Sequence, residues 1–187
     1  MITFNPRVLC LSVLLMTGVA SAAEQAGAPD SRSPPTYGAS VAYTFITACM
    51  QYAGDPTGLR AHLAAQGATQ APESEAPRYL HDRAGRVFGL RTPGGVQIFL
   101  SLDDGGCELI APNVDERDFR AEFDKLLRAL TILKSHEHEE PSQGLKHLDY
   151  DVREPAQAAG WRLVLSFPLP GRTGITSLTA YRLPNEK

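Results

Sequence analysis

His136-Glu137-His138-Glu139-Glu140 gathers two imidazoles and three carboxylates in one short run, the donor types that hold zinc and related ions. The order is not H-E-x-x-H, and no two histidines stand four apart on a helical pattern. Alternating charges ahead of Pro141 instead read as a solvated linker from Lys134 to Gly144, so no metal is expected there. His62, His81 and His147 read as surface or edge residues outside any cluster. Paired carboxylates would suit glycosidase chemistry, which needs one acid and one base or nucleophile. Asp103-Asp104, however, sits where a hairpin turn wants Asp, and Asp149 and Asp151 share the outer face of a strand pattern. A solvated strand face accounts for that second pair.

Nucleophilic catalysis leaves no local signature. Neither G-x-S-x-G nor S-x-x-K occurs, although a Ser, His and Asp assembled in space stays open. Gly94-Gly95 and Gly105-Gly106 are turn doublets that lead into no helix, so they do not cradle phosphate. No catalytic residue, metal ligand or cofactor is therefore assigned. Two features suit contact with a partner. Trp161 lies in line with Leu163, Leu165 and Phe167, which reads as core, and the loop Pro168-Leu169-Pro170-Gly171-Arg172 is stiffened by two prolines.

The first 22 residues say where such a protein would work. Arg7 precedes an apolar run from Val8 to Val19, and Ala20-Ser21-Ala22 forms an A-x-A cleavage site, the layout of a secretory signal peptide. The run is shorter than the roughly 20 apolar residues a bilayer span needs, so no stable membrane insertion is expected. The formal net charge of −3 includes Arg7, the leader's one charged residue, and becomes −4 once the leader is removed. A mildly acidic chain without a basic run is a poor ligand for nucleic acid, whose binding rests on Lys and Arg. Cys10 leaves with the leader. Cys49 and Cys107 remain, and two cysteines in an exported chain most simply form one disulfide, the alternative being two buried thiols.

Residues 23–39 are rich in Ala, Pro, Ser and Gly and read as a flexible leader to a single domain over 40–187. Val41, Phe45, Cys49 and Tyr52 recur at helical spacing; Asp55-Pro56 then starts a second helix that Gly67 ends. Pro72 to Leu80 holds a further turn or two. Arg86–Arg91, Val96–Leu102 and Cys107–Ala111 are β-prone runs between Thr92–Gly95 and Asp103–Gly106 turns, a three-stranded meander. Asn113 with Glu116 resembles a capping box, and Phe119, Phe123, Leu126, Leu127, Leu130 and Leu133 form the apolar stripe of a long helix. Three more strands follow, around Leu148–Val152, Trp161–Phe167 and Thr176–Ala180, the first pair joined through Ala158-Ala159-Gly160. The expected fold is α+β in the order ααβββαβββ, with a mostly antiparallel sheet under the long helix.

Phe45-Ile46-Thr47-Ala48-Cys49, Gly85-Arg86-Val87-Phe88 and Leu102-Asp103-Asp104-Gly105-Gly106-Cys107 resemble an uncharacterised family of small exported or lipid-anchored proteins of Gram-negative bacteria. The likeness spans about residues 43–182 and implies a shared fold and a periplasmic address, with no activity attached. Some of that family look lipid-anchored, whereas this leader has no suitably placed lipobox cysteine.

Together these features point to a soluble periplasmic binding or interaction protein whose partner is another envelope or secreted protein. Its most concrete form is an inhibitor or immunity-type protein against an envelope-acting enzyme. The alternatives are a small hydrolase without a local motif and an accessory subunit of an envelope assembly; the oligomeric state is open.

Overall fold

Helical periodicity gives way to strand periodicity near residue 85, and the computed structural model places there the first long strand of an eight-stranded sheet. The structure describes residues 35–128, 130–153 and 160–184, without the side chain of Leu133. The leader expected over 1–22, residues 23–34 and the Ala158-Ala159 connection lie outside the described residues.

Helix α1 (Tyr37–Thr44) starts three residues before the expected onset of order, capped by the Thr36 hydroxyl, which accepts from the Ala39 N–H at 3.3 Å. It runs into a π-helical segment, Phe45–Met50, that buries Phe45, Ala48, Cys49 and Met50. Asp55 caps α2 (Pro56–Ala65), with Pro56 at the first helical position as the sequence implies. A two-residue strand β1 (Thr69–Gln70) and a single-turn helix α3 (Pro77–Leu80) precede the meander β2 (Gly85–Thr92), β3 (Gly95–Leu102) and β4 (Cys107–Pro112). Helix α4 (Glu116–Leu127) then carries the chain to the far edge of the sheet, where β5 (Thr131–Glu140) begins a second meander. That meander continues through β6 (Leu145–Arg153), β7 (Gly160–Pro168) and β8 (Ile175–Arg182). Every pairing is antiparallel, in the order β1-β2-β3-β4-β8-β7-β6-β5, and the β4–β8 pair joins the two meanders.

This corrects the ααβββαβββ order. The segment Lys134–Gly144 is not a linker: Thr131–Glu140 is an edge strand paired with β6 along its length, so the second group has four strands. The long helix is also shorter than its apolar stripe. It ends at Leu127, because Thr131 and Ile132 pair with Arg153 and Val152 and draw the chain into the sheet. Asn113 does not cap it. Asn113 has a positive φ of 53° and its N–H bonds to the Gly174 carbonyl, while Asp115 accepts from the Asp118 N–H at 3.0 Å as the true cap.

One sheet face carries α1, the π-helical segment, α2 and α4. Phe45, Phe99, Phe119, Phe123 and Phe167 are fully buried there among Leu109, Leu163 and Leu165. Phe123 is central, with ring centroids 5.2 Å from Phe119, 5.9 Å from Tyr150 and 6.2 Å from Phe45. Among the described residues the opposite face is covered at β2–β3, where Leu80 packs on Val87, Leu100 and Leu102. Cys49 and Cys107 are bonded, 5.0 Å apart at Cα, which ties the π-helical segment to the first residue of β4. Beside this bond the Gly54 N–H donates to the Gly105 carbonyl at 2.8 Å. A Cβ on Gly105 would stand 2.9 Å from the Gly54 Cα, so that approach needs glycine. Gly38 performs the same service between helices, since a Cβ there would lie 2.8 Å from the Asp115 carbonyl oxygen. α1 therefore lies directly against the start of α4.

Candidate functional site

The close packing of α1 on α4, and the return of β7 and β8 to the middle of the sheet, leave a groove at one end of the molecule. It has a volume of about 910 Å³ and lies between Asn113–Ala121 and Phe167–Gly174. Its wall on one side is the stiff loop Pro168-Leu169-Pro170-Gly171-Arg172, which the sequence already marked as a contact point. The loop is fixed by two backbone bonds, Leu169 N–H to the Gly144 carbonyl and Arg172 N–H to the Leu169 carbonyl, at 2.9 and 3.0 Å. Val114, Ala121, Phe167 and Leu169 supply apolar lining.

Three arginines border this groove, and their charges are disposed differently. Arg120 is committed, lying 3.5 Å from Glu116 and 3.4 Å from Glu137. Burial opposes its charge, but Tyr150, Glu137 and Glu116 outweigh that and hold the guanidinium above its usual range. Glu116 is held again by Lys146. Arg117 and Arg172 are exposed and their side chains have no ion pair among the described residues. The helix start adds its partial positive charge on the same side. The groove thus offers an apolar floor with two uncommitted cations, an arrangement for holding a ligand with apolar and acidic groups. Sequence reasoning found the loop but missed Arg117 and Arg172 as a pair, because 55 positions separate them and only the β8–β4 pairing brings them to one end.

The remaining polar residues divide between two places. Asp103 and Asp104 stand in the β3–β4 turn as expected: Asp104 accepts from the Gly106 N–H at 2.8 Å, and Asp103 pairs with Arg60, which also donates to Ser101. Asp149 and Asp151 share the uncovered sheet face as expected, and Asp151 takes both arms of Arg162, at 2.9 and 3.2 Å. That hydrogen bond and charge raise the Arg162 pKa.

His147, expected to lie outside any cluster, instead joins the two histidines of the expected linker, while His62 stacks on Tyr52 apart from them. His136 and His138 project from β5, and His147 stands directly opposite His138 on β6. The three rings stack, with centroids 5.2 Å apart for His136–His138 and 5.0 Å for His138–His147. The His147 Nδ1 lies 2.9 Å from the Ser166 hydroxyl, and its Nε2 lies 3.4 Å from a Glu140 carboxylate oxygen. A serine, an imidazole and a carboxylate in contact meet part of the requirement for a catalytic triad. Yet Ser166 sits inside the sheet, paired with His147 on one side and Ser177 on the other. Neighbouring amides are spent on strand pairing, so none is free to hold an oxyanion. As placed, no three His, Cys, Asp or Glu side chains among the described residues form a ready-made metal site.

Among the described residues no helix is long and apolar enough to cross a membrane. Comparison with protein-family models, with curated proteins and with solved structures returns no match.

Proposed function

We propose that this protein works by binding another exported protein in the periplasm, and that the groove between α4 and the 168–174 loop receives an extended segment of that partner. The groove carries the reading: it combines a volume of about 910 Å³, apolar lining and two uncommitted arginines on an otherwise acidic chain. Acidic side chains of the partner meet Arg117 and Arg172, while apolar ones lie on Val114 and Leu169. A wall fixed by prolines and backbone bonds loses little conformational freedom on binding, which favours affinity. The Cys49–Cys107 bond suits an oxidising compartment. Inhibition of an envelope-acting enzyme is the concrete form of this activity, since a rigid groove that captures a segment can hold an enzyme inactive without turnover.

Charge reversal tests the proposal. The pair Arg117→Glu and Arg172→Glu should lower the amount of partner co-purified from a periplasmic extract at least tenfold, because like charges now face each other across the contact. Both residues are exposed, so folding should be unaffected. Undiminished recovery with the double variant would overturn the groove as the binding surface.

A further inference from the structure

The β5–β6 register brings histidines of two strands together on one sheet face. His138 and His147 are a directly opposed cross-strand pair, the arrangement in which two side chains on one sheet face come closest. Two of the three prospective ligands already have an outer hydrogen-bond partner. The His147 Nδ1 meets the Ser166 hydroxyl at 2.9 Å. One Glu140 oxygen accepts from the Gln143 amide at 2.8 Å. Metal-binding sites fix their ligands in this way, through outer partners that set ring orientation and tautomer.

The inward atoms match as well. The His147 Nε2 is buried and has no hydrogen-bond partner, an arrangement that calls for explanation in a folded protein. The nearest acidic atom is the other Glu140 oxygen, 3.4 Å away. Two donors bound ~2.0–2.1 Å from one tetrahedral zinc lie about 3.3 Å apart, so this separation is that of two ligands on a single ion. His138 completes the set. Its side chain is 46% exposed, and its ring centroid lies 5.0 Å from that of His147.

We propose that His138, His147 and Glu140 bind a divalent first-row metal ion of the zinc type, with Ser166 positioning the His147 imidazole. The site pins the edge strand β5 to β6. It lies on the uncovered sheet face, and the proposal stands apart from the groove reading.

Zinc titration of the chelator-stripped protein by calorimetry tests this. One zinc per chain is expected, with a rise in the thermal midpoint that a chelator reverses. His138→Ala and His147→Ala should each weaken binding at least tenfold, and Ser166→Ala by roughly tenfold, as for other outer partners. His136→Ala, a histidine of the same stack outside the set, should leave affinity unchanged. His147 is partly buried, so His147→Gln serves beside the alanine variant, and metal-free melting reports whether each still folds. Absence of zinc binding in the parent protein would overturn the site, as would zinc affinity that survives the loss of His138 and His147. A uniform loss that includes His136→Ala would also contradict it, since that outcome means diffuse binding to the imidazole stack.

Discussion

Truncating Phe123 to alanine will lower the free energy of unfolding by about 3–5 kcal/mol. The ring is 1% exposed and touches three aromatic neighbours, Phe45 on the π-helical segment, Phe119 on its own helix and Tyr150 on β6. Its loss opens a void where α1, α4 and the second meander meet, and the sheet is too rigid to collapse into it. Urea unfolding followed by fluorescence or circular dichroism measures the change. A loss below about 1 kcal/mol, the size of an ordinary substitution, would show that α4 is not seated on the sheet as described.

Removing the disulfide should cost nearly as much. The bond joins residues 58 positions apart, and the chain-entropy relation gives roughly 4 kcal/mol for a loop of that length. It also anchors the π-helical segment to β4, beside the contact between Gly54 and Gly105. Replacing Cys49 and Cys107 together by alanine should therefore cost ~2–5 kcal/mol, measured by the same unfolding experiment. Thiol titration of the denatured, unreduced protein should find neither cysteine free. Two free thiols, or a double variant as stable as the parent, would contradict the bond.

Sequence pattern located elements wherever a local rule and the tertiary fold agreed. The strands around Val87, Leu100 and Leu109 are bounded by Thr92-Pro93-Gly94-Gly95 and Asp103-Asp104-Gly105-Gly106, and both turns stand where those residues place them. The second helix starts at Asp55-Pro56 for the same reason. β5 was hidden because an edge strand with mostly polar residues on both faces shows no apolar alternation. Lys134, His136, His138 and Glu140 form one row, and Ser135, Glu137 and Glu139 the other. Charges on such an edge guard it against pairing with other chains, so the composition that resembles a linker also suits an exposed strand. α4 was overextended because Leu130 continues its stripe, while long-range pairing of Thr131 and Ile132 overrides that local signal.

The sites were legible to different degrees. The proline loop at 168–172 showed in sequence, as did the shared face of Asp149 and Asp151. The His138–His147 contact depends on the β5–β6 register, and the Arg117–Arg172 pairing on the β4–β8 register. Neither register leaves a trace in spacing along the chain.

Site-specific photo-crosslinking in exporting cells shows whether the groove holds a protein partner. A photoreactive residue at Ala121 or Leu169, both lining the groove, should give a covalent adduct with the same partner from either wall. The same probe at Thr179, on a sheet position that pairs with Glu108 and Val164 away from the groove, should give none. Adducts from the groove should disappear when Arg117→Glu and Arg172→Glu are added. Adducts from Thr179 with none from Ala121 or Leu169 would place the contact on the uncovered sheet face and contradict the account.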